Sequence, residues 1–278
     1  MDQKGVFWVK KKSIRPFDLL IFLFPLLLGC AGPEVVGRAP LVGGGSADIV
    51  QIPLRLSNVF LIRARRPILV DSGTIGDMDD LDAALAEYGI ATSSVALVIL
   101  THGHADHAGL AADVQRLARA KVALGAGDLP LAAAGHNDDL KPTGFAGAVL
   151  KPFITSIYPE LQPDVVVSPG EPVDLAPWGV DGKIVAMPGH TAGSIVVLLA
   201  DHTAFVGDMI AGGDLGGLFF PHSPREHLYQ ADPARDHANV RTLLDRGVQR
   251  FYLGHGGPVR RADVARWLES QPLPARAP

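Results

Sequence analysis

The sequence predicts a layered α/β protein with mixed sheets, and three observations lead to this prediction. Short runs rich in Val, Ile and Leu, each bounded by Gly, Pro, Asp or Ser, are typical of β-strands. These runs cluster early in the chain and later alternate with helical patterns, which favours helices packed on sheets. The 278 residues include 31 Gly and 22 Pro without a repeat period, which indicates many turns and excludes a coiled coil.

The apolar runs that we predict to be strands are short, as strands in globular proteins usually are. They lie at residues 49–54, 58–63, 67–71, 95–100, 183–187, 194–199, 203–206 and 250–253. Residues 125–170 carry scattered Gly, Pro and charged residues, and they are expected to form an insertion with one or two short helices.

Helices are predicted over residues 78–88, 233–246 and 261–270. The first places Leu81, Leu85 and Tyr88 on one face and is followed by Gly, a common residue after a helix end. The second follows an Asp-Pro pair at 232–233, which is the pattern of an N-cap with Pro in the first turn. The third is predicted to turn its apolar residues inward, namely Val264, Trp267 and Leu268.

The first thirty residues have the pattern of an export signal. Five basic residues precede an apolar run at 19–28, which is too short to span a bilayer as a helix of about 20 residues. Residues 27–30, LLGC, resemble the lipobox of bacterial lipoproteins, and the resemblance implies that Cys30 is acylated and becomes the mature N-terminus. We therefore expect a signal peptide at 1–29, a flexible tether at 30–48, and one domain at 49–278. The protein would be exported and lipid-anchored, at the periplasmic face of the outer membrane.

Charge and cysteine content exclude several classes of protein. The only Cys is residue 30, so neither an intrachain disulfide nor a Cys-based zinc cluster can form. Removal of residues 1–29 takes away five basic and two acidic residues, which leaves 20 basic and 27 acidic residues and a net charge of −7. A chain of this charge is not expected to bind nucleic acid. The oligomeric state stays open.

Residues 98–110, VILTHGHADHAGL, place potential metal ligands directly after an apolar strand. Residues two apart in an extended segment point the same way, so His102 and His104 can bind one ion. Asp106 and His107 follow as the chain turns into a helix expected to start near Ala108, and they can face a neighbouring ion. Two ions about 3.5–4 Å apart are a common hydrolytic arrangement.

Three later segments have a similar pattern, with a potential ligand just beyond an apolar strand. His190 lies in MPGHT, Asp208 in FVGD and His255 in YLGHG. Each segment alone is a weak signal. Together with the first cluster they collect at strand ends, where active sites of layered α/β proteins lie.

This set of motifs strongly resembles the metallo-β-lactamase superfamily. H-x-H-x-D-H, G-H-T, G-D and G-H-G occur in the family's order within residues 71–257, after an Asp-containing turn at Asp71 that is expected to be structural. The resemblance implies an αββα sandwich with two metal ions at one edge, every ligand position being filled as in the glyoxalase II-like and lactonase-like branches. It implies that Asp208 bridges both ions, and it gives the other ligands as His102, His104 and His190 for the first ion and Asp106, His107 and His255 for the second.

These ligands imply metal-dependent hydrolysis. Imidazole and carboxylate suit Zn, Fe or Mn, and we expect two zinc ions per chain, with Fe or Mn as alternatives. A metal-bridging hydroxide would attack a small-molecule ester, lactone, lactam or thioester. The resemblance further implies that Asp106 orients the nucleophile or passes a proton to the leaving group.

Departures from the patterns of individual branches of the superfamily narrow the choice of activity. His104 stands where the di-iron oxygen-reducing members have Glu, and no Cys lies near Asp208 as in one group of β-lactamases. The bridging Asp208 counts against the β-lactamases that have His at every late position. The main alternative is a sulfur dioxygenase of the same superfamily, whose single iron would be bound by His102, His190 and Asp208. A non-catalytic lipoprotein that keeps the fold would have lost ligands, and no ligand is lost.

The sequence leaves the substrate-binding residues unknown. We consider two groups of candidates, which are more often surface polar residues or packing aromatics: His136, Lys141, Lys151, Phe153, Tyr158 and Trp178, and then Phe219, Phe220, His222 and Arg225. The remaining histidines, His202, His227 and His237, are expected to be solvated.

Overall fold

The fold of residues 32–271 is described by a computed structural model. The predicted signal peptide at 1–29 and the predicted acylation site Cys30 lie outside the described residues. Within residues 32–271, no helix is both long and apolar enough to cross a membrane.

The first of two large sheets contains seven strands that lie side by side in chain order. The first four strands pair antiparallel, and the last four, β4 to β7, pair parallel. The strands are β1 (Glu34–Pro40), β2 (Ser46–Pro53), β3 (Asn58–Ile62), β4 (Ile68–Val70), β5 (Leu97–Ile99), β6 (Lys121–Gly125) and β7 (Val165–Val167).

The second large sheet contains six strands in the order β15-β14-β11-β10-β9-β8. Its strands β11 and β14 run parallel, so both end at the same edge of the sheet. A separate hairpin of β12 and β13 follows β11. These strands are β8 (Val173–Asp174), β9 (Gly182–Ala186), β10 (Ile195–Leu199), β11 (Thr203–Gly207), β12 (Ala211–Asp214), β13 (Phe219–Arg225), β14 (Arg250–Leu253) and β15 (Val259–Arg260).

The helices connect the strands and cover the outer faces of the sheets. They are α1 (Met78–Glu87), α2 (Ala105–Ala108), α3 (Ala111–Ala118), α4 (Leu129–Ala134), α5 (Phe145–Leu150), α6 (Pro233–Asp245) and α7 (Arg261–Glu269). The expected N-cap of α6 is present, because the Asp232 carboxylate accepts a hydrogen bond from the Arg235 backbone N–H at 3.0 Å. The insertion at 125–170 does contain short helices, α4 and α5, together with β7.

Three apolar clusters define four layers, helix–sheet–sheet–helix. Alternate residues of a strand point to opposite faces of its sheet. In the first sheet, Leu61 therefore packs towards α1 while Phe60 packs towards the second sheet. On the far side of the second sheet, Phe251 packs against residues of α6 and α7 such as Val240 and Val264. The structure has the mixed α/β sandwich that the sequence predicts.

The prediction of a flexible tether at 30–48 is wrong for most of residues 32–48, the part of it that the structure describes. Residues 34–40 form β1 and residues from Ser46 onward belong to β2, and the two strands pair antiparallel. The three glycines at 43–45, all with positive φ, form the turn between them. A Gly-rich composition therefore marks a hairpin turn here rather than a linker, because Gly adopts positive φ without strain.

Phe205 lies between the two large sheets, and its truncation tests the sandwich core. The ring is 1% exposed and contacts Phe60 and Tyr252 at centroid distances of 5.3 and 4.9 Å. We expect Phe205→Ala to lower the free energy of unfolding by about 3–5 kcal/mol, because the cavity cannot close between two sheets. The matched control, Phe145→Ala, removes a ring that is 87% exposed and should change stability by under about 0.5 kcal/mol. Urea unfolding of both variants measures this, and equal losses would contradict the packing.

Candidate metal centre

The first group of potential ligands lies where the chain leaves β5 and enters α2. His104 is extended and its carbonyl accepts hydrogen bonds from the backbone N–H groups of His107 and Ala108, at 3.0 and 2.8 Å. These bonds close the helical turn over Asp106 and His107. The helix therefore begins at Ala105, earlier than the predicted start near Ala108.

The later ligands come from the ends of strands in the second sheet. His190 follows β9, Asp208 follows β11 and His255 follows β14. Because β11 and β14 are parallel, Asp208 and His255 reach the same edge of the sheet. Gly254 is required beside them, since a Cβ there would lie 2.1 Å from Asp208 Oδ1 and 2.6 Å from His107 Cε1.

The structure brings all of the sequence-predicted ligands together around Asp208. Asp208 Oδ2 lies 3.2 Å from His255 Nε2 and 3.4 Å from His107 Nε2. It also lies 3.8 Å from His190 Nε2 and 3.9 Å from His102 Nε2. Asp208 Oδ2 is therefore close to imidazole nitrogens of both later and earlier motifs, at distances that a cation beside this oxygen could bridge.

The remaining ligands complete two three-residue sets. In each set, the potential ligand atoms lie within 4.8 Å of one another: His102, His104 and His190 in one, and Asp106, His107 and His255 in the other. A third set joins His102 and His107 to Asp208, which lies between the first two. These are the residues that the family resemblance assigns to two ions, and the assignment of each to a particular ion remains a prediction.

The chemistry of the donor atoms fits a divalent metal. Three buried atoms at this point, His102 Nε2, His107 Nε2 and Asp208 Oδ1, have no hydrogen-bond partner among the described residues. Buried polar atoms are normally paired, because an unpaired one costs about 1–3 kcal/mol. Imidazole and carboxylate are ligands that Zn, Fe and Mn accept, so a metal would satisfy these atoms.

Each of three imidazoles is held by an oxygen on the side away from the centre. His104 Nε2 lies 2.9 Å from Asp138 Oδ1, and His107 Nδ1 lies 2.9 Å from Asp71 Oδ2. His102 Nδ1 lies 3.1 Å from the Thr101 hydroxyl. Because an oxygen acceptor holds a proton on the outward ring nitrogen, the inward nitrogen is the one that is available to bind a metal. Asp71 is therefore structural, as expected, whereas no motif in the sequence marked Asp138.

Burial and the two carboxylates set the pKa values at the centre. Burial and neighbouring imidazoles hold the pKa of His102 well below its ordinary value. Burial also opposes a positive charge on His107 and His255. The nearby carboxylates of Asp208 and Asp106 outweigh burial, so they hold the pKa of His107 well above its ordinary value and raise the pKa of His255 to about 10. Likewise His255 and His107 overcome burial and hold the Asp208 pKa well below its ordinary value. Metal binding must displace protons from His107 and His255, so metal affinity should fall with falling pH.

A buried carboxylate, Asp128, joins the two loops that carry the first set of ligands. Its oxygens accept hydrogen bonds from the Gly103 N–H at 2.8 Å, the Thr191 hydroxyl at 2.7 Å and the Gly193 N–H at 2.8 Å. Gly103 lies between His102 and His104, and Thr191 follows His190. Asp128 therefore fixes the spacing between these loops.

We expect Asp128→Asn to loosen this spacing, because an amide presents one acceptor where the carboxylate presents two. The free energy of unfolding should fall by about 1–3 kcal/mol, and metal affinity should fall by about 10–100-fold. Asp139→Asn is the control, since the Asp139 side chain is 90% exposed. Chelator competition and urea unfolding measure the two effects. Wild-type metal affinity in Asp128→Asn would contradict the positioning role.

A cavity of about 360 Å³ opens onto the centre. Its apolar lining comes from Leu140, Ala146, Ile154 and Leu215, and its polar lining includes Asn137, Arg225 and Tyr229 beside the metal-centre residues His104, Asp106, Asp208, His227 and His255. Among the candidates for substrate binding, Arg225 alone lines this cavity.

The other candidates for substrate binding do not line this cavity. Tyr158 is buried, and its hydroxyl donates to the Gly103 carbonyl at 2.7 Å. This bond supports the loop that carries His102 and His104. Phe153, Phe219 and Phe220 are exposed, as are His136 and His222.

The prediction that His227 is solvated is wrong. Its Nε2 atom lies 3.2 Å from Asp208 Oδ2, and its side chain is 12% exposed. His227 belongs to no motif, and nothing in its spacing distinguishes it from His202 or His237. The loop after β13 brings it to the centre, and loop paths of this kind are not encoded in a local pattern.

Comparisons with known proteins agree with this geometry. The family model described as metallo-beta-lactamase superfamily matches residues 52–255. The chain is 26% identical to a hydroxyacylglutathione hydrolase of Acidiphilium cryptum over 77% of this chain and 76% of that protein. It is also 26% identical to a probable metallo-hydrolase of Methanocaldococcus jannaschii, over 72% of this chain and 87% of that protein.

Solved structures share the fold. A class B3 di-zinc metallo-beta-lactamase from an Alaskan soil metagenome, 16% identical, superposes with a TM-score of 0.56 over 89% of this chain and 84% of that one. A metallo-beta-lactamase family protein from Thermus thermophilus, 23% identical, has a TM-score of 0.55 over 86% of this chain and 77% of that one. With the family model covering most of the chain and the His/Asp clusters at its sheet edge, the protein belongs to the metallo-β-lactamase superfamily and is a metallo-β-lactamase-like metal-dependent hydrolase.

Proposed function

We propose that the protein is a dinuclear zinc hydrolase that acts on a small ester, lactone, lactam or thioester. The observation that carries this proposal is the pair of ligand sets that share Asp208 beside one cavity. In this proposal His102, His104 and His190 hold one ion, and Asp106, His107 and His255 hold the other. Two zinc ions, when bound, supply a hydroxide nucleophile at neutral pH and polarise the substrate's oxygen.

The chain's own residues position the reaction. Asp208 projects between the two sets and is the only carboxylate within 4 Å of His102, His107 and His255 together in residues 32–271. Asp106 Oδ2 lies 3.3 Å from His255 Nε2 and lines the cavity. We assign Asp106 either to orient the attacking water or to accept a proton from that water and pass it to the leaving group.

The cavity favours a small, largely uncharged acyl compound. Its volume of about 360 Å³ lies at the lower end of the range for small-molecule sites, about 300–1,000 Å³. Leu140, Ile154 and Leu215 give it apolar walls, and Arg225 is its one guanidinium among the described residues. The similarity to a hydroxyacylglutathione hydrolase supports thioesters as one class to test.

A hydrolysis screen tests this proposal. The purified protein is stripped with a chelator, reloaded with zinc, and assayed on lactones, β-lactams, thioesters and simple esters. We expect turnover of at least one class that disappears on stripping and returns with zinc. Oxygen uptake with glutathione persulfide by the iron-loaded protein, without zinc-dependent hydrolysis, would instead support the sulfur dioxygenase.

We also propose that the protein is exported and lipid-anchored through Cys30, on the periplasmic face of the outer membrane. The lipobox-like sequence at 27–30 supports this proposal. Two or three acyl chains would hold the protein stably on a membrane. Cys30→Ser should release the protein from membrane fractions or leave it unprocessed, as seen by fractionation and mass spectrometry. Continued acylation of that variant would refute the lipobox.

A further inference from the structure

His227 reaches the metal centre from the loop between β13 and α6. Its Nε2 atom lies 3.2 Å from Asp208 Oδ2, as close as His255 Nε2. Its ring packs edge-on against His190, with centroids 4.9 Å apart, and stacks on His255 at 5.4 Å. His227 therefore lies between the two residues that close the predicted ligand sets on either side of Asp208.

The loop that carries His227 is held in place by the insertion. The Thr143 hydroxyl donates to the His227 carbonyl at 2.6 Å, and the Thr143 N–H donates to the Leu228 carbonyl at 3.0 Å. The Tyr229 hydroxyl donates to the Gly147 carbonyl at 2.9 Å. These bonds tie the loop to the insertion, so they hold the imidazole of His227 close to Asp208.

The other ring nitrogen of His227 determines what Nε2 offers to the centre. Nδ1 lies 2.9 Å from the Tyr229 carbonyl oxygen and 3.3 Å from the Tyr229 N–H. The shorter contact requires a proton on Nδ1, because a carbonyl oxygen only accepts. In the neutral ring this tautomer leaves the lone pair on Nε2, which faces the Asp208 carboxylate oxygen at 3.2 Å, and a metal ion between the two atoms would satisfy both of them.

The same arrangement holds the residues already assigned to metal. His104 is backed by Asp138 and His107 by Asp71, each with the free nitrogen turned inward. The ligand atoms of His190, Asp208 and His227 also lie within 4.8 Å of one another. We propose that His227 is an additional protein ligand of the metal centre, binding through Nε2 the ion on the His190 side of Asp208.

This inference rests on the proposed metal function and makes it more specific. The ion beside His190 would have four imidazole ligands, from His102, His104, His190 and His227, and one carboxylate. Such a nitrogen-rich set favours Zn or Fe over Mg, which prefers oxygen ligands. The ion held by Asp106, His107 and His255 would be unaffected.

Metal titration of the full chain against a chelator tests the inference. In His227→Gln, we expect the affinity of one of the two zinc ions to fall by at least about tenfold, and that of the other to stay unchanged. His222→Gln is the matched control, because this exposed histidine belongs to no ligand set in residues 32–271. Circular dichroism of each variant checks the fold. In the wild-type protein, ¹⁵N NMR should show that His227 Nε2 is unprotonated and shifts when zinc binds.

The outcomes separate this inference from the proposed function. Two zinc ions bound with wild-type affinity by a folded His227→Gln would overturn the ligand role alone, even if turnover falls. A proton on His227 Nε2 in the zinc-loaded wild-type protein would overturn it also, and this readout does not depend on the variant folding. A wild-type chain that binds no metal would overturn the proposed function as well.

Discussion

Asp208→Ala is expected to lose both metal ions and all measurable turnover. Asp208 Oδ2 lies within 4 Å of the Nε2 atoms of His102, His107, His190 and His255, so one substitution removes an anion shared by both ligand sets. The loss of a single positioned charge-stabilising group already costs about 10²–10³-fold in rate, and this loss would remove the ions as well. We therefore expect turnover to fall by more than about 10³-fold.

Metal analysis by mass spectrometry after gel filtration measures this effect together with the rate. Asp245→Ala removes an exposed carboxylate from the end of α6 and should leave both metal content and rate unchanged. Asp208→Asn keeps the shape and one oxygen, and it should retain more metal than Asp208→Ala. Wild-type metal content in Asp208→Ala would contradict the shared position of this carboxylate.

Asp236→Asn is expected to stabilise the protein at neutral and alkaline pH. Asp236 is fully buried in α6, and among the described residues no side chain pairs with its carboxyl group. A Cβ on Gly189 would lie 2.1 Å from its Oδ1 atom, so the carboxyl group packs tightly beneath the His190 loop. Burial raises the pKa of Asp236 to about 8, from an ordinary value of 3.8.

The direction of the pH effect follows from this raised pKa. Between pH 4 and about pH 8 the unfolded chain releases this proton while the folded chain keeps it, so stability falls as pH rises through this range. The expected total is about 6 kcal/mol, at about 1.4 kcal/mol for each pKa unit. The neutral Asn does not titrate, so its advantage over the wild type should grow from near zero at pH 4 to its maximum near pH 8.

Urea unfolding at several pH values, with Asp245→Asn as the control, measures this difference. A stability difference between Asp236→Asn and the wild type that is constant with pH would contradict a carboxyl group buried in its neutral form. A difference that grows with falling pH would contradict it more strongly.

The strands could be predicted where the local pattern is sufficient. Residues 58–62 and 250–253 are buried apolar runs between turn residues, and the structure has strands there. β1 could not be predicted in this way, because EVVGRAP contains Gly, Pro and charges. It is a strand because it pairs with β2 beyond the Gly turn at 43–45, and this pairing depends on the neighbouring strand rather than on its own composition.

The candidate site likewise contains residues that the sequence could identify and residues that it could not. His102, His104, Asp106 and His107 lie within one short segment, so their sequence spacing limits their spatial spacing. His190, Asp208 and His255 could be added because each follows an apolar strand. Asp128 follows β6 of the first sheet, but it lies in the segment 125–170, where the sequence predicts no particular element. His227 and Asp138 follow no strand of the two large sheets, and their positions depend on how the insertion and the β13 loop pack over the sheet edge.

The metal content of the whole chain, purified without added metal, tests the central claim most directly. The two ligand sets around Asp208 predict about two zinc ions per chain, both removable by a chelator and both restored by zinc. One iron per chain, with no second ion taken up in excess zinc, would contradict the dinuclear centre and would direct attention to oxygen-dependent sulfur chemistry.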